Sequence, residues 1–106
     1  MARLDALRVA LEGIGVPVSR HFAHKVMVPY IVWAEDGQAA TIRADDRTVT
    51  QGAQGTIDYF THDADDPAIA AIQKALNDAY IPWRLASVQH EDELSLLHYE
   101  WVWEVS

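Results

Sequence analysis

Apolar and polar residues alternate most cleanly between positions 94 and 105. Leu97, Tyr99, Trp101, Trp103 and Val105 share one parity, while His98, Glu100 and Glu104 share the other, with Leu96 and Val102 as apolar exceptions. Side chains along a strand point to opposite faces in turn, so this spacing predicts a half-buried strand with an aromatic inner face. A second strand is predicted over 83–90, with Trp83 and Leu85 on one face and Ala86 and Val88 on the other. His90-Glu91-Asp92-Glu93 forms a charged turn that joins the two strands into a hairpin. The period changes at the start of the chain. Leu4, Leu7, Leu11 and Ile14 recur at steps of three and four, the stripe of an amphipathic helix, and Gly13, Gly15 and Pro17 stop it.

A second helix is predicted from Asp66-Pro67. The Asp66 carboxylate can accept from free backbone N–H groups, and a proline at the first helical position loses no hydrogen bond. Ile69, Ile72, Leu76 and Tyr80 or Ala79 make its stripe, and Pro82 ends it. Tyr30 to Ala34 is a short β-prone apolar run, and Gly55 to Thr61 is another strand, with Ile57 and Tyr59 opposite Asp58 and Phe60. Between Asp36 and Gly55 the chain is polar. Ala39–Arg43 and Arg47–Gln51 are expected to be the arms of a protruding hairpin with Asp45-Asp46 at its turn. Arg20, His21, His24 and Lys25 form the chain's basic cluster, bracketed by Pro17 and Pro29. This order predicts a single α+β domain over 1–106: an antiparallel sheet of about four to five strands, with two helices packed on one face.

With 106 residues, a core of ordinary size is expected without covalent staples. The absence of cysteine excludes disulfides and thiolate metal sites. No apolar run reaches the ~20 residues of a membrane helix and no signal-peptide pattern opens the chain, so cytoplasmic synthesis is expected. A formal net charge of -8 argues against binding nucleic acid by phosphate neutralisation.

The search for chemistry yields little. His21 and His24 would share a helix face, but His-x-x-His without a third ligand reads as surface histidines. His62-Asp63 stands before the helix cap, where the aspartate has a structural task. Ser19, Ser87, Ser95 and Ser106 occupy no nucleophile elbow, and the paired carboxylates lie in turns. No catalytic, cofactor or metal residue is therefore expected. Of the four tryptophans, Trp101 and Trp103 belong to the core parity, and Trp33 is the candidate for an exposed indole at a subunit contact.

Several pieces recur in a familiar order. They are the strand Pro29-Tyr30-Ile31-Val32-Trp33, a polar stretch with Ala44-Asp45-Asp46, and the strand Ile57-Asp58-Tyr59-Phe60-Thr61. An Asp-Pro helix ending before Ile81-Pro82-Trp83 follows, then a Glu-x-Glu-Leu turn leading into the alternating strand 97–105. In this order the chain, past Val28, resembles the small tail-completion and head–tail joining (tail terminator-like) proteins of long-tailed bacteriophages and prophages. The resemblance implies a non-enzymatic virion protein of the tail or neck, made in the host cytoplasm. It implies a ring, commonly sixfold, with the tail tube protein and head-completion or connector proteins as partners. DNA would pass through the lumen without specific binding. The expected oligomer or partner interface is Trp33 with Arg43, Asp45, Asp46, Arg47 and Gln51 of the polar stretch. Two other readings stay open: a small protein-interaction domain acting as a dimer through its terminal strands, and a ligand-binding domain with an aromatic pocket.

Overall fold

The two apolar stripes fold as helices α1 (Ala2–Glu12) and α2 (Pro67–Asp78), and five segments fold as strands β1 (Val18–Arg20), β2 (Tyr30–Gly37), β3 (Ala53–Thr61), β4 (Trp83–Glu91) and β5 (Leu96–Val105). The structure is a computed structural model and describes residues 2–23, 27–37 and 52–105. The strands form one sheet in the order β1-β2-β3-β5-β4. This is the expected α+β architecture. The β4–β5 hairpin is in place, with Trp83 opposite Trp103 and Glu91 opposite Leu96.

The sheet is mixed rather than wholly antiparallel, which corrects the expectation. β1 runs parallel to β2, with Val18 beside Ile31 and Arg20 beside Trp33. Backbone groups explain this pairing. The Ile31 N–H donates to the Pro17 carbonyl at 2.8 Å and the His21 N–H donates to the Trp33 carbonyl at 2.7 Å. β2 and β3 also reach further into the polar stretch than predicted and pair as far as Gly37 and Gln54, past a bulge between Glu35 and Gly37. The hairpin arms expected at 39–43 and 47–51 lie outside the described residues.

Both helices cover the same face of the sheet. Leu7 and Leu11 of α1 and Ile72 and Leu76 of α2 are buried together with Ile31, Trp33, Ile57, Tyr59, Trp101, Trp103 and Val105. The sheet residues among them share one parity by register. Fully burying one such aliphatic side chain contributes roughly 1.5–3 kcal/mol, so this single layer dominates the stability of the domain.

α2 stops before Pro82 is reached. The Tyr80 N–H donates to Asn77 O at 3.0 Å and the Ile81 N–H to Leu76 O at 2.9 Å, while Tyr80 takes φ 58. This is the Schellman arrangement, which pulls buried Ile81 against buried Leu76 and satisfies the last carbonyls. β4 departs from prediction in one respect. A bulge between Leu85 and Ser87 shifts its register, so Leu85 faces Trp101 and Val88 faces Tyr99 on the same side of the sheet.

Candidate functional site

Trp33 is 2 % exposed, which corrects its assignment as an exposed indole. It shares the core parity of β2 with Ile31 and packs edge-on against Trp103 at 6.3 Å between centroids. The Arg20 guanidinium covers it at 4.8 Å from the ring centre. The half-exposed indole is Trp83, on the edge strand β4, whose Nε1–H donates to Asn77 Oδ1 at 2.9 Å. Of the other expected interface residues, Arg43, Asp45, Asp46, Arg47 and Gln51 lie outside the described residues.

Arg20 also grips Glu35 with two donors, from Nε at 3.1 Å and from a terminal nitrogen. The hydrogen bond from Arg20 holds the Glu35 carboxyl below its ordinary range, against the opposing effect of burial. His21 approaches the same carboxylate at 3.6 Å and carries φ 73, the left-handed region that a non-glycine residue rarely adopts. His21 thus leaves the end of a strand rather than a helix. His24, its expected partner on a shared helix face, lies outside the described residues.

The Asp66 cap is more elaborate than the sequence indicates. Its Oδ1 accepts from the Ala68 N–H at 2.8 Å, and its Oδ2 accepts from the Tyr59 hydroxyl at 2.5 Å and the Thr61 hydroxyl at 2.7 Å. Burial alone would raise the Asp66 pKa, but these three donors outweigh it and lower the pKa. Burial, and then the carboxylate, push the Tyr59 phenol well above its ordinary value. A lowered folded-state pKa stabilises the protein above the unfolded value of about 4 and ceases to do so as pH falls through the folded value. Asp66→Ala removes a cap and leaves the buried Tyr59 hydroxyl without its acceptor, at an expected cost of about 2–4 kcal/mol. Asp66→Asn is expected to flatten the loss of stability on the acid side. Urea midpoints measured from neutral pH down through the carboxylate range test both, and an unchanged acid slope in Asp66→Asn would contradict the linkage.

His62 Nδ1 lies 2.9 Å from the Ser95 carbonyl, and Asp63 Oδ1 accepts from the Asp65 N–H at 2.9 Å. The pair therefore supports turns, as the sequence suggests.

The face of the sheet away from the helices carries a row of rings. Tyr30 stacks on Phe60 at 4.8 Å, and Phe60 on His98 at 4.3 Å. His98 Nε2 lies 2.6 Å from Asp58 Oδ1. By register the same face holds Glu100, Glu104 and Glu91, with Arg84 as its one lysine or arginine among the described residues. Beyond Tyr30 a hollow of about 490 Å³ opens among Met27, Val28, Tyr30, His62, Leu94 and Leu96. The sheet's two edges are unlike. One is the nine-residue β4, with Leu85 and Val88 44% and 48% exposed; the other is the three-residue β1.

Among the described residues no group of three or more His, Cys, Asp or Glu is arranged to hold a metal ion. The depression beside Trp83, which an aromatic-pocket reading would need, measures about 200 Å³, below the roughly 300–1,000 Å³ of ordinary ligand sites.

No protein-family model matches the sequence, and no curated protein matches it. Among solved structures, a chain of the virion of native gene transfer agent (GTA) particle is similar. The match has a TM-score of 0.51 and 16% sequence identity, and it covers 96% of this chain and 88% of that chain. The two chains share a fold across nearly their whole lengths.

Proposed function

We propose that this protein is a structural component of a phage-like virion, and that it forms a ring at the tail or neck that completes the tail tube or joins tail to head. The observation that carries the reading is the fold shared, over 96% of the chain, with a chain of a gene transfer agent virion. The element order noted in the sequence points the same way.

The geometry supports a ring in particular. A ring requires two different surfaces that meet head to tail and close by rotation. A sheet with one long exposed edge and one short edge supplies unlike surfaces of that kind. The net charge of -8 suits a lumen through which DNA must slide without adhering. Arg43, Asp45, Asp46, Arg47 and Gln51 belong, in this reading, to a polar segment that contacts a neighbouring subunit or the tube protein. No residue is assigned a catalytic role and no cofactor is invoked. The dimer alternative required the terminal strand to pair edge to edge with its copy. β5 already has β3 on one side and β4 on the other, so it has no edge to offer.

Light scattering after size exclusion, across a concentration series and with negative-stain images, tests the reading. A discrete ring is the expected species. A clean two-fold dimer at every concentration would overturn it.

A further inference from the structure

Hydrogen bonds fix which backbone groups point away from the sheet at its two edges. In β1 the Pro17 carbonyl and the His21 N–H both bond to β2. By the alternation of a strand, Ser19 faces β2 as well, and Val18 and Arg20 face outward. The Arg20 carbonyl already accepts from the Phe22 N–H, so Val18 is the β1 residue that can offer both its N–H and its carbonyl to a further strand. In β4 the Pro82 carbonyl accepts from the Glu104 N–H. Alternation from there, shifted by one residue at the bulge, turns the backbone groups of Leu85, Val88 and His90 outward.

These outward residues carry their side chains on the helix side of the sheet, Val18 beside Ile31 and Val88 opposite Tyr99. Leu85 and Val88 are exposed there, and Val16 and Val18 are only partly buried against the core. β4 contains neither lysine nor proline, the residues that commonly protect an edge strand. Its bulge interrupts the edge between Leu85 and Ser87, while Ser87 to Glu91 stays in regular register. Strand directions agree as well. β1, β2 and β5 run one way, and β3 and β4 run the other. Copies related by rotation about an axis along the strands keep these directions, so β4 of one copy meets β1 of the next antiparallel.

We propose that β4 pairs with β1 of a second copy, Val88 opposite Val18 and Ser87 opposite Ser19, so that the sheet runs on from subunit to subunit. The inference rests on the ring reading and names the contact within it. Each copy has one edge of each kind, and a closed ring satisfies both edges of every copy. A different protein on β4 would leave β1 open. The helix layer needs the wider circumference, so the opposite face, with Asp58, Glu91, Glu100 and Glu104, turns toward the lumen, where negative charge repels DNA.

The chain contains no cysteine, so single cysteines report contacts cleanly. Ser19→Cys and Ser87→Cys are mixed and oxidised, and the disulfide-linked species are separated. Neither serine supplies the outward backbone groups or the apolar contact, so both substitutions leave the pairing in place. Their backbone groups face their own sheets, and across such a non-hydrogen-bonded pair the Cα atoms stand about 4.5 Å apart, within disulfide reach. Paired thiols meet at a millimolar effective concentration against a micromolar bulk one, so the mixed dimer is expected to exceed either self-linked dimer by about tenfold or more. Ser19→Cys mixed with Lys74→Cys, an exposed position on α2, is the control and is expected to show no excess. Val88→Pro removes an N–H that β5 does not use, so it is expected to keep the wild-type circular dichroism spectrum and to lose assembly. The cross-link decides even if Val88→Pro fails to fold. No excess of the mixed dimer, or an equal excess in the control, overturns the inference. So does an excess of the Ser87→Cys self-linked dimer, which would mean that two β4 strands pair, or a ring that survives Val88→Pro. A wild-type ring without the mixed dimer sinks this contact and leaves the ring reading standing. The mixed dimer in a protein that forms only open chains does the reverse.

Discussion

Gly55→Ala is expected to destabilise the domain by about 3 kcal/mol or more, at the top of the range for overpacked cores. Gly55 sits at the centre of the sheet, opposite Glu35 on β2 and Trp103 on β5. A Cβ there would stand 1.9 Å from the Ala34 carbonyl oxygen, 2.7 Å from the Glu35 Cα and 2.7 Å from the edge of the Trp103 ring. Two of these neighbours are backbone, so no side-chain rotation relieves the contact and β2 must separate from β3. Small domains have only about 5–15 kcal/mol of net stability. Each kcal/mol lost lowers the melting temperature of a domain near this size by about 4–8 °C. Thermal unfolding followed by circular dichroism measures the change. Because the limit is backbone, Gly55→Ala combined with Trp103→Phe is expected to fall below Trp103→Phe alone. If the ring change restored stability, the backbone account would be wrong.

Trp103→Ala is expected to cost about 3–5 kcal/mol, the range for removing a large aromatic side chain from a core. The indole is fully buried, packs edge-on against Trp33, and donates from Nε1 to the Thr56 carbonyl at 3.0 Å. Its removal opens a cavity in the core beside Trp33 and leaves the Thr56 carbonyl without that donor. Trp83→Ala offers the contrast. Trp83 is half-buried at the sheet edge with one hydrogen bond to Asn77, so a loss of about 1–2 kcal/mol is expected. Urea midpoints of the two variants give the comparison. Equal losses would mean that the edge and centre of this sheet contribute alike, contrary to the burial pattern.

The elements that were legible in the sequence are those whose periodicity is long or whose ends carry a specific chemical signal. β5 shows its inner face over ten residues, and Asp66-Pro67 marks the start of α2 because capping acts between neighbours in sequence. The Asp66 carboxylate also accepts from Tyr59 and Thr61, and that was hidden: the three residues meet only once β3 lies beside the start of α2. β1 escaped notice for a related reason. Three residues carry no readable period, and the partner that makes them a strand lies 13 residues on, at Ile31 to Trp33. The bulge in β4 reversed the parity expected of Val88, since one inserted residue moves every later side chain to the other face.

Trp33 is instructive in a different way. Its shared parity with Ile31 was visible, but the expectation of an exposed indole assumed too small a core for four tryptophans. The short strand β1 brings Arg20 over the ring and closes that core. Of the candidate surfaces, the basic cluster at 20–25 was legible as charge. The exposure of Phe22 within it was not, because it follows from the left-handed backbone of His21 at the end of β1.

The strand order has a consequence for how the molecule comes to be folded. β4 is made before β5, yet in the sheet it touches only β5. β4 pairs with β5 across a short turn, but until that hairpin docks through β5 on β3, the middle of the sheet has one side open. Ala53 finds its partner at Val105. Such non-local closure is slow, on the order of milliseconds to seconds. During that interval the future core of β3, with Ile57 and Tyr59, stays bare on the side that β5 will cover. A cell making many copies at once thus has a window in which unfinished chains can adhere through β3, and slower synthesis or lower temperature is the direct remedy.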